Sequence, residues 1–304
     1  MAGQDQGSVK AILYALGANS GIAIAKGGAA FWTGSGAMLA ETIHSVADAG
    51  NQVLLLIGLK RAARPPTEDH PLGYGKAMYF WSLIVALLLF SVGGLFSVYE
   101  GVERLLHPGE LRDPWIAIGI LVFSIALEAF SLWGALKIIR ERQGDRTFWQ
   151  WFRTTRNSEL MVVAGEDIAA LLGLVFALLA LLVTVATGNP LFDAMGSMAI
   201  GVLLIVIAIA IVREVKGLII GESADPLVHE AIGRHLASRP EVEQVLNLIT
   251  LQWGDRVVVA VKARMKEKQD ISRLLGQVNA CEADLKRKFP EVSWIFFEPD
   301  ETDA

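Results

Sequence analysis

Residues 38–58 read MLAETIHSVADAGNQVLLLIG, and the rest of the chain is arranged around them. The stretch is apolar enough to cross a bilayer, yet it carries Glu41, His44, Asp48 and Asn51. These positions lie three or four apart, so a helix stacks them on one face. A charge at mid-membrane costs a few kcal/mol, about 2.5–3.5 for Asp on insertion scales, and is tolerated where it faces a partner, water or an ion. His44 and Asp48, at i and i+4, point an imidazole and a carboxylate into the same space, which suits a divalent metal. The plainer alternative is that the two pair with each other or with neighbouring helices. A whole row of such residues favours an ion or proton pathway.

Composition sets the class. Of 304 residues, 53% are hydrophobic and 19% charged, which excludes an ordinary soluble enzyme and indicates an integral membrane protein. The single cysteine, Cys281, can form neither an internal disulfide nor a cysteine zinc cluster. The first residues, MAGQDQGSVK, lack the basic region and cleavage site of a signal peptide, so the first apolar segment is expected to be retained.

Six spans are expected, at about residues 9–32, 35–59, 77–99, 115–139, 160–187 and 192–212, each near the ~20 residues that cross the hydrocarbon. The first contains Asn19 and Lys26, and Lys26 is expected to snorkel toward the interface, the alternative being that it meets a carboxylate. The third carries Gly93-Gly94, a device for close helix contact. The fourth has Glu128 near its middle, and the fifth carries Glu166 and Asp167. Basic residues cluster between spans two and three (Lys60, Arg61, Arg64, Lys76), between four and five (Arg140, Arg142, Arg146, Arg153, Arg156) and after span six (Arg213, Lys216). The positive-inside rule then places both termini in the cytoplasm or matrix. Phe148, Trp149, Trp151 and Phe152 beside Arg146 and Arg153 suggest a short interfacial segment.

The boundary falls at about residue 220. Residues 1–220 read as a six-span transport domain, and 221–304 as a cytoplasmic α+β dimerisation domain. Asp225-Pro226 opens a helix. Val245–Gln252 and Arg256–Arg264 read as strands joined at Gly254-Asp255. Asp270 caps a helix that ends at Pro290, and Val292–Phe297 reads as a last strand. The order α-β-β-α-β in about 80 residues is a small open-faced sandwich near the lower size limit for a stable core, so pairing with a second copy is expected. His229 and His235 do not share a helix face, which places both at the surface.

At membrane depth the chain therefore holds Glu41, His44, Asp48, Glu128, Glu166 and Asp167. Ligands from two helices near the midplane are the usual geometry of a transporter site. His44, Asp48 and Asp167 would supply one nitrogen and two carboxylates, balancing one divalent cation. A further ligand from Glu128 or Glu166 would over-neutralise the ion unless it held a proton when empty. Metal entry would then expel protons, and protonation would expel metal. His44 suits this because its unperturbed pKa is about 6.5.

The run Ala40-Glu41-Thr42-Ile43-His44-Ser45-Val46-Ala47-Asp48 resembles the second-span signature of the cation diffusion facilitators. So do His70-Pro71-Leu72-Gly73-Tyr74-Gly75-Lys76, Leu106-His107-Pro108 and Gly188-Asn189-Pro190-Leu191-Phe192-Asp193. Glu128 and the Glu166-Asp167 pair look most like the zinc transporter nine-like branch. The resemblance spans nearly the whole chain, including the C-terminal metallochaperone-like domain.

The resemblance implies a homodimeric, multi-pass transporter, not an enzyme. It would export Zn²⁺ or a related divalent cation in exchange for protons, with no resident cofactor and no nucleic-acid partner. The membrane would be a bacterial inner membrane, or a mitochondrial or other organelle membrane in a eukaryote. The family's site draws an H/D-x-x-x-D pair from each of spans two and five. His44 and Asp48 match the first pair, and Asp167 matches the second position of the other. Its first position falls on Val163, which cannot bind metal. Glu166, Glu128, Asn51 or a water are the alternatives for the fourth ligand. An oxygen-rich set would move preference from Zn²⁺ toward Mn²⁺, Fe²⁺ or Mg²⁺. An accessory metal site is conceivable at His70 with Glu68 and Asp69. In the C-terminal domain, Asn247, Lys262 and Phe297 stand where the family often has histidines, so no metal cluster is expected there. Rival readings are an intramembrane metallohydrolase, which lacks H-E-x-x-H here, a channel, and a non-transporting metal receptor or scaffold.

Overall fold

The computed structural model describes residues 2–33, 36–107, 114–266 and 270–302; side chains at 2–6, 29–30, 32–33, 36–41 and 43–44 lie outside the described set. In chain order it holds α1 (Ala2–Thr33), α2 (Gly36–Ala62), α3 (Ala77–Leu88), a π-helical stretch (Leu89–Leu95) and α4 (Phe96–Leu106). There follow α5 (Pro114–Gln143), α6 (Phe148–Thr154), α7 (Ser158–Thr187) and α8 (Leu191–Ile220). The chain ends in α9 (Pro226–Ala237), β1 (Val242–Trp253), β2 (Arg256–Met265), α10 (Ile271–Lys288) and β3 (Val292–Pro299).

Among the described residues, five segments are long and apolar enough to cross a membrane: Gly7–Gly28, Ala77–Leu106, Pro114–Gln143, Ser158–Thr187 and Leu191–Ile220. They coincide with five of the six expected spans. The remaining one falls on the 27-residue helix α2, part of which lies outside the described side chains. The third span is continuous from α3 through the π-helical stretch to α4. Gly93 and Gly94 sit in that stretch, and the close contact expected of them is present. A Cβ on Gly94 would stand 2.6 Å from Ile205 Cγ1, and one on Gly201 2.7 Å from the Gly94 carbonyl oxygen. Small residues thus let the third span lie directly on α8.

Two buried cores form. One joins α1, α2, α3, α5, α6, α7 and α8 around Ile12, Leu55, Tyr79, Ile139, Leu160 and Ile211. The segment α6 belongs to it. Thr147 and Gln150 cap α6 reciprocally, and it buries Trp151 and Phe152 while leaving Trp149 exposed. It is therefore only half an interfacial element: its aromatic face is split between bundle and surroundings.

The other core is that of the C-terminal sandwich. β1 pairs antiparallel with β2, and β2 parallel with β3. α9 and α10 cover one face through Ile232, Leu236, Val278, Cys281 and Leu285. The caps are those read from sequence: Asp225 accepts from Leu227 N–H, and Asp270 from Ser272 and Arg273 N–H. A groove of about 410 Å³ is lined by Asn247, Ile249, Lys262, Phe296 and Phe297 of the three strands. The two histidines are half-buried and have hydrogen-bond partners. His229 Nδ1 lies 2.9 Å from Thr250 Oγ1, and His235 is held between Asp284 (2.8 Å) and Lys288 (3.0 Å).

The sandwich is docked on the bundle at several points. Gly254 N–H donates to the Tyr79 hydroxyl at 3.0 Å, and Trp253 Nε1 donates to the Gly73 carbonyl at 3.2 Å. Arg146 pairs with Asp225 and Arg156 with Glu222, both at 2.6 Å. A Cβ on Gly75 would stand 2.4 Å from the Trp253 carbonyl oxygen, so only glycine admits this approach.

Candidate metal centre

The site grows out of three helices. On α7, Glu166 and Asp167 are adjacent and therefore about 100° apart around the axis, so they serve different neighbours. Glu166 turns to α2: Asn51 Nδ2 donates to its Oε1 at 2.8 Å, and Gln52 Nε2 to its Oε2 at 2.5 Å. Asp167 turns to α5 and accepts from Ser131 Oγ at 2.8 Å. Glu128, one turn before Ser131, is buried and interacts electrostatically with Asp167, Asp48 and Glu166. Asp48 is half-buried on α2.

The site is buried and rich in carboxyl groups. Glu128, Glu166 and Asp167 are 4%, 5% and 1% exposed, and Asn51 and Gln52 are 5% and 0%. Every hydrogen bond described to the Glu166 and Asp167 carboxylates comes from a neutral amide or hydroxyl. Such donors orient a carboxylate without cancelling its charge. Gln52 Oε1 is buried with no hydrogen-bond partner among the described atoms. It leaves an acceptor inside the cluster.

Sequence reasoning had named Asp48, Asn51, Glu128, Glu166 and Asp167, and the structure gathers all five on α2, α5 and α7. The side chains of Glu41 and His44 lie outside the described residues. Val163 is fully buried in the apolar core, as its side chain requires. Gln52 and Ser131 were missed, although their spacing was visible: Gln52 is i+4 from Asp48, and Ser131 is i+3 from Glu128. Lys26 is corrected. It does not snorkel outward but is 7% exposed within the bundle. Among the described residues, no three His, Cys, Asp or Glu side chains converge as a preformed metal cage. In the α2–α3 loop, Glu68, Asp69 and His70 are exposed, and His70 stacks on Tyr74 at 4.3 Å.

Residues 12–220 match the model of the cation efflux transmembrane domain. The chain is 34% identical over 260 residues to the "Proton-coupled zinc antiporter SLC30A9, mitochondrial" of Xenopus laevis, covering 81% of this chain and 46% of that protein. It is 30% identical to the human protein of the same name, with the same coverage of 81% and 46%. It is 24% identical to "Zinc transporter ZitB" of Escherichia coli over 90% of this chain and 83% of that one. The chain thus spans a little under half the length of the two antiporters. With a domain match over most of its helical part, the chain belongs to the cation efflux family, the cation diffusion facilitators, and is similar to their zinc transporter nine-like branch.

Proposed function

We propose that this chain is a proton-coupled efflux transporter for a divalent cation, Zn²⁺ first, working by alternating access as a homodimer. The observation that carries the reading is the burial of three carboxyl groups, Glu128 on α5 and Glu166 and Asp167 on α7, of which Glu166 is oriented by Asn51 and Gln52 and Asp167 by Ser131, without a charge-neutralising hydrogen bond among those described. Three carboxylates this buried are stable together only if a cation or protons share the site. The two alternatives give the exchange: metal binds the deprotonated set, and protons displace it.

In this reading α2 is the second span and completes the set of six, with its polar row turned into the bundle. His44 and Asp48 from α2 and Asp167 from α7 bind the ion. Glu166 or Glu128 completes the site or holds the exchanged proton, and Asn51 is a further oxygen donor. Residues 1–220 form the transport domain, and 221–304 a cytoplasmic domain through which two copies pair. Both termini face the cytoplasm or matrix, in a bacterial inner membrane or an organelle membrane. His70, with Asp69 and Glu68, is an accessory metal site at most. The names of the relatives support zinc and protons as the exchanged ions, and none of the steps requires an enzyme.

A second reading keeps the mechanism and changes the ion. The described donors are all oxygens, which favours Mn²⁺, Fe²⁺ or Mg²⁺ over Zn²⁺ unless His44 contributes. Uptake of each metal by proteoliposomes, under an imposed pH gradient, decides between them. Zn²⁺ moving first supports the main reading, and another metal moving first supports the second. Binding of metal with no flux of any would leave a non-transporting receptor or scaffold.

A further inference from the structure

One charged residue of the bundle has no part in the site so far. Lys26 lies in the apolar stretch Gly7–Gly28 and is buried. Two close approaches fix the level at which it sits. A Cβ on Gly27 would stand 3.3 Å from Thr42 Cγ2 of α2, and one on Gly21 3.2 Å from Leu127 Cδ1 of α5. α1 ends at Thr33 and α2 begins at Gly36, so the two run antiparallel. With Thr42 opposite Gly27, Asp48 comes opposite about Gly21, level with Leu127 and Glu128. A helical side chain leans toward the N-terminus of its helix, over the preceding turn. The lysine stem therefore reaches back from position 26 toward the level of Asp48 and Glu128. Electrostatic interaction between Lys26 and Glu128 agrees with this placement. The ionisable groups around that level are Asp48 of α2, Glu128 of α5, and Glu166 and Asp167 of α7, with Glu41 and His44 of α2 outside the described side chains.

We propose that Lys26 is a tethered cation that sets the affinity of the intramembrane site for its divalent cargo. The proposal rests on the site assigned above. An ammonium on a flexible stem counters part of the carboxylate charge while the site is empty. It then opposes an arriving dication and favours its departure. A site of bare carboxylates would hold the ion too tightly to turn over, whereas a permanent neighbouring charge weakens binding without removing a ligand. Lys26 is thus a specificity-determining residue that touches no cargo.

The test uses the purified full chain. Zn²⁺ binding is measured by calorimetry in detergent, and flux in proteoliposomes, for wild type, Lys26→Met, Lys26→Arg and Asp167→Asn. Lys26→Met is expected to bind Zn²⁺ about tenfold tighter, with KM and kcat both lowered because release slows. Lys26→Arg, which keeps the charge, is expected to stay near wild type. Unchanged or weaker binding by Lys26→Met, at a normal melting temperature, overturns the proposal, because a merely structural lysine would move stability and leave KM in place. If Lys26→Met does not fold, Lys26→Gln is judged by the same criterion. Asp167→Asn separates the two levels. If it binds Zn²⁺ as wild type does, the site reading fails and this proposal with it. If it loses binding while Lys26→Met leaves affinity unmoved, the role of Lys26 alone fails.

Discussion

Asp167 in α7 and Asp284 in α10 are both drawn out of bulk solvent, but they are held in opposite ways. Asp167 accepts a hydrogen bond from the hydroxyl of Ser131. Asp284 is clasped by His235 at 2.8 Å, by Arg239 at 3.0 Å and by Arg287. The bundle has fixed ion pairs of its own, as Arg104 makes with Glu100 and Asp193, but the carboxylates of the candidate site are held differently. In the bundle, amides of Asn51 and Gln52 hold Glu166. In the sandwich, Lys262 meets Glu298 and Asp300, and at the junction Arg146 meets Asp225. A carboxylate paired with a fixed cation has its charge spent on the fold. One oriented by neutral donors has no fixed cation among its described hydrogen-bond partners, as the proposed exchange of metal and protons requires.

The comparison breaks first at Asp167→Asn. Removing a charge that serves cargo is expected to cut Zn²⁺ flux by about 100-fold or more, as loss of a principal ligand does, while the melting temperature moves little. A large fall in melting temperature, with flux falling in proportion, would make Asp167 a structural group like Asp284. Glu166→Gln comes next. Asn51 can still donate to the new amide oxygen, and Gln52, by turning its unpartnered Oε1 toward the new NH2, can accept in place of donating, so the geometry is largely kept while the charge is lost. Initial rates across Zn²⁺ concentrations should fall about tenfold.

Asp284→Asn sharpens the other side. Burial alone would raise the Asp284 pKa, but the hydrogen bond from His235 and the charges of Arg239 and Arg287 outweigh it and hold it below the usual carboxylate range. Its contribution to stability is therefore complete above about pH 4, its ordinary value, and drains away as pH falls through the depressed one. The variant is expected to melt a few degrees lower at neutral pH. The gap should close in acid, when thermal scans are compared across pH, and flux at neutral pH should be near wild type. The smallest effect belongs to Tyr79→Phe, which removes the hydroxyl bonded to the Gly254 N–H and carbonyl at 3.0 and 3.3 Å. A loss of about 1 kcal/mol is expected, read as faster hydrogen exchange of the Gly254 amide with flux retained.

Much of this contrast is written locally. The helix starts at Asp225 and Asp270 were legible because a cap and its first turn are adjacent in sequence. The five apolar spans were legible by length and hydropathy, and the acidic residues by their cost in lipid. Periodicity carried the reading as far as Asn51 and stopped one residue short of Gln52, whose spacing from Asp48 was equally regular. What sequence could not give was direction. Hydropathy does not tell whether Lys26 leans outward to the interface or inward to Glu128; that depends on where α5 stands. Likewise, the partners of His235 come from α10, 49 residues away for Asp284, and no local pattern announces them. Trp151 and Phe152 looked interfacial because aromatic side chains beside arginines fit a membrane surface as well as a core, and only the packing of α6 separates the two.

The central claim is that the neutral-donor carboxylates of the bundle carry a metal against protons. Zn²⁺ flux into proteoliposomes under an imposed pH gradient, measured for wild type, Asp48→Ala and Asp167→Ala, tests it most directly. The account predicts gradient-dependent Zn²⁺ movement by the wild type, with reciprocal proton movement, and none by either variant. Transport undiminished in both variants, or Zn²⁺ movement indifferent to the gradient, would contradict it.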